Sequence, residues 1–407
     1  MFSRLLKFAW KVIWRNFRRT LITGIAVGLG LGAIMFTEAL MQGMSTHMIQ
    51  TTTESWMGDA QIHGNGFLDT RNINLVIKRP DSILSLLELD SSVSFYTPRI
   101  LSPASATSAT EMKPVTLIGV DMQTDPEVTM LKTAIDSGFY FSGDSTELII
   151  GYKLAEDLDA GLGDVIVITA AQAGSGLSSS MFFVSGICRF GNDNLDRYSA
   201  FINISAAGAM LGIQGEIHEI AVRFPQVEMG ADTSLGFWSR FSVFGNTALG
   251  WPELAPQIGS LLNMVNVSMA IMAAILFGLV VFGIVNSLFM SVFERMYEFG
   301  VMKAVGTRTG TITVMVILEA FWIAVISTVT GIAIGLLIIW ITSKTGISFG
   351  DLEVSGVMID RPIYPEMILS RIWIFPLFTL ILTTAAGIYP GIHASRLNPA
   401  EAMRKSL

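Results

Sequence analysis

Four long apolar stretches divide the chain. The charge-free runs are Thr20–Thr37, Leu254–Phe293, Ala320–Ser343 and Ile372–Ile392. Each is close to, or longer than, the ~20 residues with which a helix crosses a bilayer core. The second run has 40 residues, which would form a helix of about 60 Å, roughly twice the core thickness. We therefore predict four transmembrane helices, the second of which begins outside the membrane near Pro252 or Pro256.

Between the first and second runs the pattern changes to short β-like segments separated by Gly, Pro, Asp and Asn. The candidate strands are Pro114–Gly119, Glu147–Ile150, Asp164–Thr169, Met181–Ile187 and Glu219–Phe224. The candidate helices are Ser82–Leu89, Tyr152–Asp159 and Ser205–Leu211. This pattern predicts an α+β domain of two subdomains. Gly174–Ser180, between two strand segments, is predicted to be a flexible hairpin tip.

The fold class that follows is an α-helical membrane protein with four transmembrane helices and a large extracytoplasmic α+β domain inserted between helices 1 and 2. Composition supports it, because only 14% of the 407 residues are charged, against ~25% in soluble domains. By count, residues 41–257 hold 24 acidic and 11 basic residues, and the remainder holds 9 and 15. The acidic excess of the middle region disfavours nucleic acid as a partner. The single cysteine, Cys188, excludes an intramolecular disulfide.

Basic residues set the orientation, because they mark the cytoplasmic side of a membrane protein. They dominate the first 19 residues, and the other clusters are Arg295, Lys303 and Arg308, and Arg396, Arg404 and Lys405. We predict a multi-pass protein of the bacterial inner membrane, with both termini cytoplasmic and the large domain periplasmic. The first span is expected to be a retained signal anchor. Residues 5–17 favour an amphipathic helix on the membrane surface, or else an ordinary basic flank.

The predicted segments follow in chain order. They are a cytoplasmic amphipathic elbow (1–19), transmembrane helix 1 (20–40), the periplasmic α+β domain (41–253), a stalk with transmembrane helix 2 (254–293), a cytoplasmic helix (294–308), transmembrane helix 3 (309–343), an extracytoplasmic loop (344–371), transmembrane helix 4 (372–392) and a cytoplasmic tail (393–407).

Catalytic and metal-binding patterns are missing from the sequence. No G-x-x-x-x-G-K-[ST] segment occurs, so a phosphate-cradling P-loop is excluded. His218-Glu219 begins like a zinc-protease motif, but Val222 occupies the place of the second histidine. We predict no catalytic, cofactor-binding or metal-binding residue in this chain.

The segment between the second and third spans carries the most specific pattern. Its charged and small residues are Glu294, Arg295, Glu298, Gly300, Lys303, Ala304 and Gly306. They predict a short cytoplasmic helix that stops at Gly306, with a plain polar turn as the alternative. The pattern resembles the coupling helix of the four-span permeases that include lipoprotein-releasing, macrolide-exporting and FtsX-like proteins, E-R-x-x-E-[IF]-G-x-x-[KR]-A-x-G. Residues 389–404 resemble the closing motif of that family.

The resemblance implies a non-catalytic permease with no cofactor of its own. Its coupling helix would bind a separate ABC ATPase carrying ATP and magnesium, and a second permease would complete a homo- or heterodimer among membrane lipids. The outer domain looks most similar to the lipoprotein-releasing branch, which implies a lipoprotein cargo and a periplasmic chaperone. The hook of that branch corresponds to Gln172–Met181, which lacks Pro and Arg and so argues against chaperone capture by this chain.

Other functions remain open from sequence. An exporter or a regulator of cell-wall hydrolases would belong to the same family, whereas a sensor or channel without an ATPase would not. Gly24, Gly28 and Gly32 lie on one helical face and predict close packing, against the second span, a partner permease or the same subunit. Glu319 is an acid within the third span, for which we expect snorkelling to the interface or pairing with the coupling helix.

Overall fold

The computed structural model describes residues 2–15, 17–174, 176–348, 350, 352–354, 357–359, 362–368 and 372–396, without the side chains of 2–4, 352–354 and 357–359. Arg371 and the tail beyond Arg396, including Arg404 and Lys405, lie outside this description. The chain separates into two compact units. The membrane unit comprises Met1–Ser45, Leu262–Ser348 and Pro362–Leu407, and the outer unit comprises Thr46–Leu261 and Phe349–Arg361.

Among the described residues, four helical stretches are long and apolar enough to cross a membrane. The first span helix is Phe17–Thr52, the second is Pro256–Glu294, the third is Thr309–Thr345, and the fourth consists of Ile374–Ala386 and Ile388–Arg396. Two shorter helices are the elbow helix, Phe2–Arg15, and the loop helix, Met296–Ala304. The second span helix begins at a proline, which suits a first helical turn because its missing N–H has no helical partner there.

Small residues bring the first and third span helices into backbone contact. A Cβ atom added at Gly28 would lie 3.1 Å from the backbone nitrogen of Gly331, and one added at Gly32 would lie 3.2 Å from that of Gly335. A Cβ atom added at Gly24 would lie 3.2 Å from the side chain of Ile326, which is also on the third span helix. Of the three alternatives predicted for this glycine face, packing within the same subunit is the one that the structure contains. Its neighbour is the third span of the same chain, because that helix carries the complementary row of small residues.

The fourth span packs on the third through small residues as well. A Cβ atom at Gly387 would meet the side chain of Ala320, and one at Gly391 would lie 3.1 Å from the carbonyl oxygen of Thr313. The third span helix thus has close neighbours on two faces, whereas the second is the least buried of the four.

The described part of the outer unit contains ten strands of one sheet and a separate hairpin. The strands are β1 (Ala60–Gly64), β2 (Phe95–Thr107), β3 (Met112–Val120), β4 (Ile135–Gly138), β5 (Glu147–Gly151), β6 (Val165–Ala171), β7 (Leu177–Cys188), β8 (Ser199–Asn203), β9 (Glu219–Arg223) and β10 (Asn246–Gly250), with the hairpin β11 (Leu352–Val354) and β12 (Val357–Ile359). All five strands predicted from sequence are present, with ends shifted by a few residues.

Short helices and turns connect these strands. They are Thr53–Met57 (a π-helical turn), Phe67–Thr70, Pro80–Glu88, Asp125–Val128, Tyr152–Leu158, Asp193–Tyr198, Ile204–Leu211, Val227–Ala231 (a 3₁₀ turn), Gly236–Phe241 and Trp251–Leu254. The three helices predicted from sequence correspond to Pro80–Glu88, Tyr152–Leu158 and Ile204–Leu211.

Six strands close into a ring. The hydrogen-bonded order is β2–β3–β8–β5–β7–β6, and β6 pairs with β2 again. One hydrophobic cluster receives buried side chains from all six strands, among them Ala106, Leu117, Ile150, Ile168, Val184 and Ala200. The α+β domain expected from sequence is thus built on a barrel-like sheet.

The expectation of two subdomains takes a different form in the structure. Strands β9, β1 and β10 continue the same sheet from β2. Their apolar faces pack with the helices Pro80–Glu88 and Gly236–Phe241 in a second cluster. The first and second clusters therefore share one sheet, because β2, at 13 residues, is long enough to contribute to both. A third buried cluster includes Ile118, Ile149 and Phe201 from strands of the ring.

The predicted flexible tip at Gly174–Ser180 is wrong for its second half. Strand β7 begins at Leu177, and the β6–β7 ladder runs from Ala171 opposite Leu177 onward. The hydroxyl groups of Thr169 and Ser179 lie 2.8 Å apart across it. Residues 177–180 therefore belong to strand β7 and pair with β6, in spite of their serine content. The connection between β6 and β7 is limited to residues 172–176.

Candidate functional site

The loop helix, Met296–Ala304, has defined ends. Arg295 is its N-cap, and the chain leaves the helix through Gly306, whose φ of +97° suits a residue without a Cβ atom. The backbone nitrogens of Gly306 and Thr307 donate to the carbonyl oxygens of Lys303 and Met302 at 3.0 and 2.9 Å. These bonds satisfy the last carbonyls of the helix, so the stop expected at Gly306 is present.

A buried ion pair fixes the start of the loop helix to the third span. Nη1 of Arg295 lies 3.1 Å from Oε2 of Glu319, and both side chains are about 95% buried. The hydroxyl of Ser291 donates to the other Glu319 oxygen at 2.6 Å. The guanidinium of Arg295 also lies 5.0 Å from the ring centroid of Phe299. Both Glu319 oxygens therefore have partners, as a buried carboxylate requires.

Glu298 joins the loop helix to the elbow helix. Its carboxylate accepts a hydrogen bond from Nε of Arg295 at 3.0 Å and lies 2.9 Å from Nη2 of Arg15. The elbow is held in turn by Trp322 on the third span, whose Nε1 donates to the carbonyl oxygen of Leu6 at 3.3 Å. One carboxylate thus links the elbow helix with the start of the loop helix.

The other end of the loop helix is tied to the fourth span. Nζ of Lys303 donates to the carbonyl oxygen of Ser395 at 2.9 Å. Phe299, in the middle of the helix, is 1% exposed and packs with Ile312, Val316 and Ala394. The loop helix is therefore held on three sides, by the elbow helix, the third span and the fourth span.

The remaining face of the loop helix is apolar and exposed. Tyr297, Val301 and Val305 are 51%, 39% and 83% exposed, and their spacing of four residues places them on one face. Sequence analysis missed this stripe, because it ranked the charged residues first. The recurrence of apolar residues at i, i+4 and i+8 was the signal that could have revealed it. Gly300 is buried against the membrane unit, whereas Ala304 is exposed beside the stripe.

Glu294, the remaining charged residue of the predicted site, lies at the end of the second span helix. Its carboxylate pairs with Arg19 of the first span helix in a partly exposed contact. The structure therefore brings Glu294, Arg295, Glu298, Lys303 and Glu319 into one region of the membrane unit. Gly24, Gly28 and Gly32 do not join that region, because they line the contact between the first and third spans.

The outer unit contains a second cluster of buried charges that sequence analysis did not find. Arg99 of β2 is fully buried, with Nη1 2.7 Å from Glu219 and Nη2 3.6 Å from Asp125. Burial raises the pKa of the Asp125 carboxyl above its ordinary value, although Arg99 and a hydrogen bond from Thr129 act in the opposite direction. Burial also lowers the pKa of His63, which lies 3.8 Å from Glu219.

His218, which with Glu219 resembles the start of a zinc-protease motif, uses both ring nitrogens in hydrogen bonds within the outer unit. Nδ1 of His218 accepts from the backbone nitrogen of Leu101 at 3.1 Å, and its Nε2 donates to the carbonyl oxygen of Ile73 at 2.9 Å. Both ring nitrogens are occupied, and burial lowers the pKa of this imidazole. Over the described residues, no group of three or more His, Cys, Asp or Glu side chains is arranged to hold a metal ion.

These features define a class of protein: a four-span membrane protein with an outer sheet domain and a clamped helix between spans two and three. The family described as MacB-like periplasmic core domain matches residues 20–233, more than half of the chain, and the family described as FtsX-like permease C-terminal matches residues 270–399. The chain belongs to the family of ABC transporter permeases that these two domains define.

Curated relatives agree with this assignment. An uncharacterized ABC transporter permease of Methanocaldococcus jannaschii is 24% identical over 64% of this chain and 63% of its own length. The lipoprotein-releasing system transmembrane protein LolC of Neisseria meningitidis is 20% identical over 95% of this chain and 94% of its own. The probable export ATP-binding/permease protein MacB of Pseudomonas entomophila is 22% identical over the whole chain, which spans 59% of that protein.

The sheet domain also resembles a solved structure. The crystal structure of the periplasmic region of MacB from Actinobacillus actinomycetemcomitans is 16% identical, with a TM-score of 0.35, over 50% of this chain and 94% of that one.

Proposed function

We propose that this chain is the permease subunit of a mechanical ABC complex, which transmits the ATP cycle of a separate ATPase to the outer domain. The observation that carries the proposal is the loop helix, clamped on three sides and left with one exposed apolar stripe. The stripe is the docking surface for the ATPase, and the charged residues around it hold the helix in place. ATP and magnesium bind to the ATPase, so this chain needs no cofactor.

The contacts that hold the loop helix support a mechanical role, because they lead to different elements: the elbow helix, the third span and the fourth span. A load on Val301 reaches the third span through Arg295 and Glu319, and the fourth span through Lys303. The buried pair of Arg295 and Glu319 keeps one geometry, since breaking it leaves an uncompensated charge. Glu298 and Lys303 therefore act as positioning residues, whereas Tyr297, Val301 and Val305 provide the contact area.

The lipoprotein-releasing relative and the export relative both support a complex driven by ATP. LolC of Neisseria meningitidis, described as a transmembrane protein, is matched over 94% of its length. The MacB relative, described as an ATP-binding/permease protein, is matched over only 59%. The match along nearly all of a relative described as a lipoprotein-releasing system transmembrane protein favours release of lipoproteins from the bacterial inner membrane as the work performed.

Export is the second candidate function, and the outer unit favours it. Its sheet region matches the MacB-like core domain, and the β6–β7 connection is confined to residues 172–176, which lack Pro and Arg. A connection of this size offers little surface to a chaperone. Regulation of a cell-wall hydrolase is a third alternative within the same family.

A second permease would complete the complex in the membrane. The second span helix exposes a row of apolar side chains, Met264, Val267, Ile271, Ile275, Leu279 and Phe282. Their spacing of three to four residues places them along one face. This face supports pairing with a second permease, identical or paralogous, in a bilayer where lipid covers the remaining surface.

The docking proposal is tested with a photo-crosslinking residue at Val301 in native membranes. Trp340, 63% exposed on the third span helix, provides the matched control position. Capture of an ABC ATPase at Val301 and not at Trp340 would support the proposal. Capture of lipid alone at both positions would overturn it and favour a sensor or channel.

The work of the complex is tested by what co-purifies with it in the absence of nucleotide, before ATP is added. A lipid-modified protein bound to the wild-type chain, and released by ATP, would support lipoprotein release. A cell-wall hydrolase, or ATP turnover stimulated by small exported compounds, would instead support one of the two alternatives.

A further inference from the structure

The first span helix enters the outer unit without a flexible linker. Residues 46–52 of that helix already belong to the outer unit, and Thr53–Met57 continues it as a π-helical turn. The turn is closed by the backbone nitrogen of Gly58, which donates to the carbonyl oxygen of Thr53 at 2.8 Å. Strand β1 begins at Ala60, so two residues separate helix from sheet. Isolated π-turns occur frequently at functional positions.

Those two residues are fixed by the sheet. Gly58 has a φ of +74°, and a Cβ atom there would lie 2.9 Å from the carbonyl oxygen of Val222 on β9. The Asp59 carboxylate accepts from the backbone nitrogen of Phe224 at 2.9 Å, and its own nitrogen donates to Val222 at 2.8 Å. The junction can therefore neither swing nor lengthen without breaking contacts to β9.

Trp56, in the π-turn, rests on the buried charge cluster of the outer unit. The guanidinium carbon of Arg99 lies 3.7 Å from the centroid of the Trp56 ring, and the ring of Phe201 on β8 lies 5.3 Å away. A cation stacked on an indole is attracted to its π-face, most strongly where both groups are desolvated. Because Arg99 is fully buried, the indole is one of the few groups that stabilise its charge.

Arg99 is itself held from two other directions. Glu219 on β9 and Asp125 at the start of the helix Asp125–Val128 flank its Nη atoms. Nε and Nη2 have no hydrogen-bond partner among the described residues, so the stacked ring supplies stabilisation that hydrogen bonds do not. Main-chain atoms add a further tie, since the Met130 nitrogen donates to the Glu54 carbonyl oxygen at 2.9 Å.

We infer that Trp56, seated on Arg99, is the positioning residue that locks the end of the first span helix to the strand layer of the outer unit. Movement of that helix then displaces the sheet as a rigid part and is not absorbed at the junction. This inference rests on the proposed function, because it names the residue through which the ATP-driven movement enters the outer domain. No residue type at position 56 other than an aromatic one can provide the π-face.

The rigidity of the junction is tested without nucleotide. Spin labels are placed at Gln50, at the end of the helix, and at Thr110, between β2 and β3, both exposed in the full-length chain in nanodiscs. Cys188 is fully buried and takes no label. The wild type is expected to give one narrow distance distribution, which broadens in Trp56→Ala and Trp56→Leu and stays narrow in Trp56→Phe. Leu keeps apolar volume without a π-face, so it separates stacking from filling.

Transmission is tested in the complex with its ATPase. Amide exchange of the outer unit is compared with and without ATP and vanadate. In Trp56→Leu the nucleotide-dependent change should fall by about tenfold or more, within the range of coupling between sites, and Trp56→Phe should restore it. Trp238→Leu, in the same unit but away from Arg99, should behave as wild type. ATPase capture at Val301 should persist in every variant.

The outcomes separate the two proposals. A narrow distance distribution in Trp56→Leu, or an undiminished nucleotide response, would overturn the role of Trp56. If no ATPase is captured at Val301 and the wild-type outer unit ignores nucleotide, the proposed function fails. The spin-label result still decides in that case whether Trp56 locks the junction.

Discussion

The buried pair of Arg295 and Glu319 allows a quantitative test of the clamp. Removing one member of a buried ion pair leaves an uncompensated charge and costs ~3–5 kcal/mol, whereas replacing both by apolar residues of similar size is often neutral. We therefore expect Arg295→Met and Glu319→Leu each to destabilise the membrane unit by ~3–5 kcal/mol, and the double variant to recover most of that loss. Glu319→Gln should lie between wild type and Glu319→Leu, because an amide oxygen can still accept from Ser291.

The measurement is a double-mutant cycle on reversible unfolding of the full chain in bicelles, which isolates the interaction between the two side chains. Glu294→Gln is the matched control. Its pair with Arg19 is partly exposed, so its loss should cost at most ~1 kcal/mol. Single variants that each cost less than the control, or a double variant that costs the sum of the singles, would refute the claim that this pair clamps the loop helix.

Three further predictions concern other contacts. Gly28→Ala should destabilise the membrane unit by ~1–3 kcal/mol through overpacking, whereas Gly278→Ala, in open space, should be neutral or stabilising; equal unfolding midpoints would contradict this. Glu298→Lys places two positive charges side by side, at positions 298 and 15. The reconstituted ATPase should then lose its stimulation by the permease, while membrane insertion of the permease persists. An ATP turnover equal to that with the wild-type permease would argue against a positioning role of Glu298. Burial lowers the pKa of His218 below the ordinary 6.5, so below pH 6.5 the unfolded chain binds a proton that the folded chain does not. The free energy of unfolding therefore decreases as the pH is lowered. His218→Gln should flatten that fall between pH 7.5 and 5.5 in thermal melts, and a slope equal to wild type would count against it.

The spans were predictable from sequence because their signal is local. A charge-free run of the right length indicates a membrane helix wherever it packs, and Pro256 does begin the second span helix. The five predicted strands are present for a similar reason, since β-branched runs between turn residues indicate a strand without reference to its partners. Strands β1, β2, β4, β8 and β10 of the sheet were missed, because their runs contain Gly, Pro, Ser or Asn that only the sheet contacts compensate.

The candidate site was predictable in position but not in geometry. The spacing of Glu294 to Gly306 indicates a helix between two spans, yet it does not show which side chains face inward. Pairing of Glu319 with this helix was one of two expectations from sequence and is present, but its partner Arg295, 24 residues away, was not identified. The contact of Glu298 with Arg15, from the far end of the chain, was not expected at all. Gly28 likewise finds Gly331 across 303 positions by difference of their numbers. Such pairs depend on tertiary packing, to which residue spacing along the chain is blind.

Closure of the strand ring has a consequence for self-association. A strand at the border of a sheet offers unpaired N–H and C=O groups to any other chain with β-structure. In the described part of the outer unit the ten-stranded sheet ends at β10 and β4. β4 has four residues and an irregular register against β7, and β10 passes directly into the helix Trp251–Leu254. Neither border is a good template for strand addition. Contact with the second permease proposed above would therefore be made by side chains, and those can diverge between paralogous permeases without disturbing the sheet.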